Sequence, residues 1–267
     1  MKSNEKPIGI FDSGLGGLRL LTDLKRQFPY ESFIYLGDTA HLPYGSKSQK
    51  TIQQYSEKIV AFLISKNVKM IIVACNTASS LASEHIKQLF NIPIIEVVTP
   101  CIQKAVKLTN NNRVGVIGTN ATIQSTIYSE YIKKINDKIL VFEKACPLLV
   151  PIIEGGVQNK LILDELFNEY FHELLECNID TLILGCTHYS IIEKHIFSFF
   201  NNDIKLITSS NSINFLVEKT LLMDNMKNCT KVYDDIYFVT DLSSTFKEQA
   251  KILLEINTIN IDLINLV

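Results

Sequence analysis

The fold of this chain is indicated best by a short apolar stretch that ends at a cysteine, Lys69-Met70-Ile71-Ile72-Val73-Ala74-Cys75-Asn76-Thr77. A second stretch repeats the arrangement, Asp180-Thr181-Leu182-Ile183-Leu184-Gly185-Cys186-Thr187-His188. Continuous apolar runs of this length predict parallel strands that are covered on both faces. Ligands bind beyond the carboxyl ends of such strands. The two cysteine turns therefore predict two facing halves of one site, in which one thiol can remove a proton from a carbon and the other can return one.

Strand and helix patterns alternate on both sides of these stretches. Predicted strands cover 7–11, 32–36, 70–74, 92–98, 113–117, 139–142, 181–184, 204–207 and 236–239. Between them apolar residues recur at helical spacing, as in the helix predicted to bury Ile123, Ile127, Tyr131 and Ile135. This alternation predicts an α/β protein with doubly wound parallel sheets.

The two halves of the chain also resemble each other. Asp12-Ser13-Gly14 follows the first predicted strand and Thr119-Asn120 follows the fifth, and each half later offers one cysteine turn. We interpret this as an internal duplication that gives two domains related by pseudo-two-fold symmetry, with the site in the cleft between them. The predicted first domain comprises 1–98 plus a returning segment, 208–267, and the second comprises 99–207. Coincidence is the alternative, because any doubly wound protein repeats strand, turn and helix.

The composition limits the classes of function. With 46% hydrophobic residues the chain is globular, and a net charge of −2 offers no electrostatic footprint for nucleic acid or an anionic membrane. No apolar stretch reaches about 18 residues, and residues 1–6 lack the apolar segment of a signal peptide. We therefore expect a cytoplasmic protein with a small polar partner, whose six cysteines are free thiols.

Polar side chains follow several predicted strands, where they would reach the cleft. Hydroxyl, amide and backbone N–H groups at helix starts suit carboxylates, whereas Asp12 suits an ammonium group or a thiol that exchanges a proton. The candidates are Asp12, Ser13, Tyr44, Gly45, Asn76, Thr77, Thr119, Thr122, Thr187 and His188. Asp12 and Ser13 could instead cap the following helix.

The two cysteines have a structural alternative, since a lone cysteine is commonly a small buried hydrophobe. Their matched strand-end positions favour reactive thiols, because donors at helix N-termini lower a thiol pKa. His188, two residues after Cys186, is a candidate proton relay to that thiol rather than a surface or capping histidine. Glu154 follows an apolar run and is either an ordinary loop acid or a carboxylate at a strand end.

Neither a metal nor an organic cofactor is predicted. The spacing of Cys186 and His188 lacks the second ligand pair that a zinc site needs. Pyridoxal phosphate would require a Schiff-base lysine, and no lysine stands convincingly at a predicted strand end. The residues thus favour chemistry carried by the thiols themselves.

At these residues the chain resembles bacterial glutamate racemases. The resemblance covers most of the chain and is carried by residues 11–18, 37–40, 42–45, 73–79, 145–148, 150–151, 154–155 and 184–189, with weaker similarity over 238–241. It implies a cofactor-independent racemase of two α/β domains that supplies D-glutamate for peptidoglycan synthesis. A homodimer is a further expectation.

The resemblance also implies roles for individual residues. Cys75 and Cys186 would be the two acid/base thiols, with Asp12 assisting near Cys75 and with Glu154 and His188 assisting near Cys186. Substrate contacts would come from Asp12, Ser13, Pro43, Tyr44, Gly45, Asn76, Thr77, Thr119, Thr122, Thr187 and His188.

The chain departs from the family pattern at three places. Thr208 stands where the family often has an acid, His41 stands where a basic residue, often arginine, is usual, and the tail 257–267 has no alignable counterpart. Two rival interpretations accompany the resemblance. One is an aspartate racemase with the same two-thiol chemistry, and the other is a non-catalytic protein that binds an amino acid in its cleft. The second would not need both thiols.

Overall fold

The computed structural model of the protein describes residues 3–156, 159–223 and 225–266. Six residues lie outside the described ranges: Met1, Lys2, Val157, Gln158, Asp224 and Val267. The predictions for the N-terminal segment, the C-terminal tail and the outer limits of the first domain include some of these residues, and those parts of the predictions lie outside the described residues. Within the described ranges, no helix combines the length and apolarity that crossing a membrane would require.

Strands and helices alternate through the first half of the chain, as predicted. The strands are short apolar runs, and β1, β2 and β3 are buried along their whole length. The elements are, in order, β1 (Ile8–Asp12), α1 (Gly16–Gln27), β2 (Phe33–Gly37), α2 (Gln49–Ser65), β3 (Met70–Val73), α3 (Asn76–Leu89), β4 (Ile94–Glu96) and α4 (Val98–Leu108).

The second half repeats the alternation and is followed by a C-terminal segment. Its elements are β5 (Arg113–Gly118), α5 (Asn120–Gln124), α6 (Ile127–Ile135), β6 (Leu140–Ala145), α7 (Leu149–Glu154), α8 (Lys160–Glu176), β7 (Thr181–Gly185), α9 (Glu193–Phe199) and β8 (Lys205–Ile207). The C-terminal segment contains α10 (Ser209–Met223), β9 (Ile236–Val239), α11 (Ser244–Leu254) and β10 (Asp262–Leu263). Short 3₁₀ helices lie at Thr39–His41, Tyr44–Ser46 and Thr187–Ile192.

The strands described here pair in parallel and form two sheets. Their order is β10-β9-β2-β1-β3-β4 in the larger sheet and β6-β5-β7-β8 in the smaller one. The run β2-β1-β3-β4 therefore has the same order as β6-β5-β7-β8, which supports the internal duplication. The predicted α/β fold with two doubly wound parallel sheets is confirmed.

The C-terminal segment returns to the first sheet. β9 pairs with β2, and β10 pairs with β9 at the edge of that sheet. Ile264 and Leu266 of the tail pack on the core that α2 covers. These pairings are consistent with the domains 1–98 plus 208–267 and 99–207, and that division stays a prediction.

The strand register brings the ends of the central strands together. Asp12 at the end of β1 pairs with Gly37 of β2, and the preceding Phe11 pairs with Val73 of β3. In the smaller sheet, Gly118 pairs with both Ala145 and Gly185. The turns that follow these strands therefore lie side by side at one edge of each sheet.

Each sheet separates two hydrophobic cores. Along β1, Ile8 and Ile10 belong to one core and Phe11 belongs to the core on the opposite face. Along β7, Leu182 and Leu184 likewise face away from Ile183. Burying one such side chain contributes about 1.5–3 kcal/mol, so these alternating residues hold the strand ends in place.

One predicted strand was too long at its C-terminal end. The strand expected over 92–98 ends at Glu96, and Val98 begins α4 instead. The Glu96 carboxylate accepts hydrogen bonds from the backbone N–H groups of Val98 and Thr99, at 2.5 and 3.0 Å. An acidic side chain that satisfies the free N–H groups of the first turn stabilises a helix start, and this overrides the β-branched run.

The predicted helix over Ile123 to Ile135 is broken in two. Thr126 adopts a left-handed conformation with φ of 54°, which ends α5 and starts α6 on a new phase. As a result Tyr131 and Ile135 are exposed, and the buried residues of α6 are Tyr128 and Ile132. The expected burial of Tyr131 and Ile135 was therefore wrong.

Candidate active site

A cavity of about 70 Å³ lies where the strand ends of the two sheets face each other. Its walls come from turns that follow strands of both halves. The predicted site residues that line it are Ser13, Pro43, Tyr44, Gly45, Cys75, Asn76, Thr77, Thr119, Cys186, Thr187 and His188. Asp12, Thr122 and Glu154 lie behind this lining rather than in it. Cavity residues that the sequence did not single out are Leu42, Ser46, Asn120, Pro147 and Val150.

Cys75 lies two residues after the end of β3 and directly precedes the first residue of α3. Its side chain is buried, and its Sγ donates to Ser13 Oγ at 3.9 Å. Burial raises the pKa of the Cys75 thiol well above its ordinary value, and the charge of Asp12 raises it further. The N–H of Ala78 in the first turn of α3 lowers the pKa by less. A helix donor thus lowers this pKa as expected, but desolvation of the sulfur outweighs it, so the net pKa is raised.

Cys186 directly follows the end of β7 and lies beside a charged pair. His188 Nδ1 lies 3.7 Å from Cys186 Sγ, and His188 Nε2 lies 2.5 Å from Glu154 Oε1. Burial lowers the pKa of His188, but hydrogen bonds to Cys186 and Glu154 outweigh burial and hold that pKa well above its ordinary value. Burial raises the pKa of Glu154, but the hydrogen bond and the charge of His188 outweigh burial, so the pKa of Glu154 is lowered from its ordinary value. An imidazolium next to Cys186 stabilises a thiolate.

Glu154 is the last residue of α7, a short helix, and not a strand-end carboxylate. Leu149, Val150 and Ile153 are its buried residues, at the spacing of a helix face, so the apolar run packs as a helix. Glu154 Oε1 also accepts a hydrogen bond from the backbone N–H of Leu15 at 3.1 Å. The carboxylate therefore joins His188 of the second half to the first turn after β1.

Asp12 is fully buried under the turn that follows β1. Its Oδ2 accepts hydrogen bonds from the N–H groups of Gly14 and Gly17, at 3.2 and 2.9 Å, and Thr187 Oγ1 donates to its Oδ1 at 3.3 Å. Burial raises the pKa of Asp12, while the charge of His188 opposes this rise. A Cβ at Gly17 would lie 2.5 Å from Asp12 Cβ, so only glycine permits this close approach. Asp12 is an electrostatic neighbour of Cys75 and a hydrogen-bond partner of Thr187.

Three threonine hydroxyls meet across the two halves. Thr77 Oγ1 lies 3.0 Å from Thr119 Oγ1 and 3.3 Å from Thr122 Oγ1, and the last two are 3.1 Å apart. Thr77 belongs to α3, whereas Thr119 and Thr122 belong to the start of α5. Clustered hydroxyls at two helix N-termini can bind a carboxylate.

The segment after β2 forms another wall. Tyr44 OH donates to Asp38 Oδ2 at 2.6 Å, and Asp38 also accepts from Thr240 and contacts His41 Nδ1 at 2.8 Å. A Cβ at Gly45 would lie 2.4 Å from Thr119 Cβ, so glycine allows this wall to contact the second half. His41 therefore pairs with Asp38 at this wall.

Asn76 completes the lining next to Cys75. Its Nδ2 donates to Tyr128 OH at 2.9 Å, and its Oδ1 accepts from Ser209 Oγ at 3.4 Å. Among the described residues, no group of three or more His, Cys, Asp or Glu side chains is arranged to hold a metal ion.

Comparison with known proteins places this geometry in a family. Residues 19–209 match the family model described as Asp/Glu/Hydantoin racemase. The chain belongs to this family. Glutamate racemase from Geobacter metallireducens is 40% identical over 242 residues, which is 90% of each chain. Glutamate racemase from Persephonella marina is 42% identical and covers 90% of each chain. The predicted resemblance is confirmed.

Solved structures of family members have the same fold. The structure of Francisella tularensis glutamate racemase in complex with D-glutamate has a TM-score of 0.92 and 37% identity, with 98% of each chain covered. That of the Bacillus anthracis isoform RacE1 has a TM-score of 0.93 and 31% identity, again over 98% of each chain. Picrophilus torridus aspartate racemase, at 18% identity and a TM-score of 0.59, shares the fold alone.

Proposed function

We propose that this protein interconverts L-glutamate and D-glutamate, and that Cys75 and Cys186 are its two acid/base groups. The observation that carries the proposal is that two thiols, one from each matched strand end, line a single enclosed cavity. Racemisation requires a proton to leave one face of Cα and another to arrive at the opposite face. Two opposed thiols meet that requirement without a cofactor.

The proton transfers balance between the two sulfurs. One thiolate takes the proton from Cα and becomes a thiol, and the resulting carbanion takes a proton from the opposite thiol, which becomes a thiolate. His188 supports the charged form of Cys186, and Glu154 keeps His188 protonated. Ser13 and the first turn of α3 support Cys75. Proton transfer by a group in hydrogen-bond reach contributes roughly 10²- to 10⁴-fold to a rate.

The polar lining suits a dicarboxylic amino acid. The Thr77 and Thr119 hydroxyls offer donors for one carboxylate, with Thr122 within hydrogen-bond distance behind them, and Ser13 with Asn76 offers donors beside Cys75. The negative charge of Asp12 favours the substrate ammonium, whose charge makes the Cα proton more acidic. Pro43, Tyr44, Gly45 and Thr187 shape the remaining walls.

Glutamate is favoured over aspartate by the full-length relatives. Proteins 38–42% identical to this chain over most of its length are named glutamate racemases, whereas Picrophilus torridus aspartate racemase is 18% identical. A non-catalytic amino-acid-binding protein would have no use for two thiols in one cavity. Aspartate racemase therefore remains the second candidate.

Circular dichroism of the purified protein with L-glutamate, D-glutamate and L-aspartate, and with no added cofactor, tests the proposal. We expect the glutamate signals to decay to zero from both enantiomers and the aspartate signal to persist. Decay of the aspartate signal alone would favour the second candidate. Stable signals from all three amino acids would contradict racemase activity.

We further propose that the protein acts in the cytoplasm, where it supplies D-glutamate for peptidoglycan synthesis. The proposal follows from the proposed activity. Expression of this chain in a bacterial D-glutamate auxotroph tests it: growth without added D-glutamate is expected, and growth only with D-glutamate would contradict it.

A homodimer and the two-domain division complete the proposal. Phe215 and Met223 of α10 expose large apolar side chains that a second copy could cover. Light scattering coupled to size-exclusion chromatography is expected to give twice the chain mass of 30.2 kDa. A single-chain mass at micromolar concentration would contradict the dimer.

A further inference from the structure

Tyr128 of α6 is fully buried and does not line the cavity, yet it contacts both cysteine turns. Its hydroxyl accepts a hydrogen bond from Asn76 Nδ2 at 2.9 Å, and Asn76 directly follows Cys75. Its ring packs beside Gly185, which directly precedes Cys186, since a Cβ at Gly185 would lie 3.4 Å from the ring carbon Cε2. One side chain of the second half thus touches the residues next to both thiols.

The Asn76 side chain has two protein partners and one face on the cavity. A carboxamide offers two donor hydrogens and an oxygen with two lone pairs. Tyr128 OH accepts a hydrogen bond from Asn76 Nδ2, and Ser209 Oγ donates one to Asn76 Oδ1. These two contacts fix the positions of the amide Nδ2 and Oδ1 atoms, and they leave one N–H of Nδ2 for a ligand in the cavity.

We propose that Tyr128 is a positioning residue for substrate binding, because it fixes the Asn76 amide with its free N–H turned to the amino-acid substrate beside Cys75. The inference rests on the proposed function and deepens it. The contact joins α3 of the first half to α6 of the second, so the amide is fixed only while the two halves are together. Tyr128 itself does not touch the substrate.

A double-mutant cycle between Tyr128→Phe and Asn76→Ala tests this role. The phenylalanine keeps the ring against Gly185 and removes only the hydroxyl. We expect it to raise the D-glutamate Kd, measured by titration calorimetry, and the KM for both enantiomers by roughly 3- to 10-fold, the effect of one hydrogen bond, with kcat little changed. In the Asn76→Ala background the same substitution is expected to change neither.

Tyr237→Phe is the matched control, since it removes a buried tyrosine hydroxyl that contacts Lys25 outside the cavity. An unchanged D-glutamate Kd in Tyr128→Phe would overturn the role of Tyr128. An equal rise of the Kd on adding Tyr128→Phe to the wild-type protein and to Asn76→Ala would also overturn it, because it would indicate a general structural effect. If Tyr128→Phe does not fold, Ser209→Ala removes the other contact of the Asn76 amide. Its effect on the D-glutamate Kd is then compared in the wild-type protein and in Asn76→Ala, and an unchanged Kd, or an equal rise in both, would overturn the fixing of the amide. Wild-type protein that binds D-glutamate without racemising it would contradict the proposed function instead.

Discussion

Cys75 and Cys186 occupy matched turns but have different electrostatic surroundings. Cys75 is a buried thiol beside the carboxylate of Asp12, which disfavours its charged form. Cys186 lies next to His188, whose pKa is held well above its ordinary value by hydrogen bonds to Cys186 and Glu154 that outweigh burial. The two thiols therefore have different neighbours, the carboxylate of Asp12 beside Cys75 and the imidazole of His188 beside Cys186. A two-base racemase needs one sulfur in each protonation state at the start of each turnover.

Removing either thiol should stop racemisation. Cys75→Ala and Cys186→Ala are each expected to lower kcat by at least roughly 10²- to 10⁴-fold, because each step of the exchange needs a proton donor or acceptor at its own face. Circular dichroism of glutamate measures the loss, and Cys229→Ala, at an exposed cysteine, is the control. Wild-type-like turnover by either active-site variant would exclude the two-thiol mechanism.

Asp12 and His188 should affect the two directions of the reaction unequally. Asp12→Asn is expected to impair chiefly the steps that use Cys75, and His188→Asn those that use Cys186. The kcat/KM for L-glutamate divided by that for D-glutamate must stay near one, because this ratio equals the equilibrium constant and enantiomers have equal free energy in water. The asymmetry will therefore appear in kcat, with compensating changes in KM. Equal losses of kcat in both directions for both variants would indicate general structural roles.

Residues at strand ends were predictable from the sequence, and those held through tertiary contacts were not. Cys75, Asn76 and Thr187 follow apolar runs, so their place at the sheet edge follows from the strands themselves. The raised pKa of Cys75 was not predictable, because burial depends on the facing half of the molecule. Pro147 and Val150 lie in a stretch, 145–151, whose resemblance to the family was the available signal for the cavity wall.

Helix α7 shows how an element can connect both halves through one carboxylate. Its last residue, Glu154, accepts hydrogen bonds from His188 and from the N–H of Leu15. The apolar run before Glu154 allowed a strand end as one interpretation, but the run packs as a helix on the second core. Helix α6 is a similar case: a left-handed Thr126 reset its phase and buried Tyr128 in place of Tyr131.

The Glu154–His188 pair predicts a pH-dependent contribution to stability. The pKa of His188 is raised, so its contribution is complete below its ordinary value of 6.5 and is lost as pH rises through the folded value. The pKa of Glu154 is lowered, so its contribution is present above its ordinary value of 4.5 and is lost as pH falls through the folded value. The pair therefore stabilises most between these two ordinary values.

Glu154→Gln tests this contribution, since glutamine keeps the shape and removes the charge. We expect the free energy of unfolding to fall by about 1–3 kcal/mol between pH 4.5 and 6.5, with a smaller difference at more acidic and more alkaline pH. Urea unfolding across pH measures it. Glu173→Gln, at an exposed pair with Lys144, is the control and should show little change. A pH-independent difference for Glu154→Gln would contradict the ion pair.

At the scale of the whole molecule, the two halves are held together by contacts at the site itself. Thr77 meets Thr119, Asn76 meets Tyr128, and Glu154 meets the N–H of Leu15. In the proposed mechanism, the small cavity between them limits the access of bulk water, so that a thiol rather than solvent protonates the carbanion. We expect these contacts to loosen when substrate enters, and binding groups from both halves to favour their return.

Closure on the substrate should protect the site thiols. Saturating glutamate is expected to slow alkylation of Cys75 and Cys186, while the exposed Cys229 reacts at the same rate with and without ligand. Peptide mass spectrometry after timed alkylation gives the three rates in one sample. Unchanged alkylation of both site cysteines would argue against a shared site that closes.

Proton exchange in D₂O tests the two-thiol claim most directly. The thiol that protonates the product carries a solvent-derived deuteron, whereas the thiolate that attacks the substrate removes its proton from the other face. During the initial rate we therefore expect D-glutamate formed from L-glutamate to contain deuterium at Cα, while the remaining L-glutamate keeps its proton, as read by ¹H NMR. Product that retains the substrate's own Cα proton would contradict the account, because it would show that one group serves both faces.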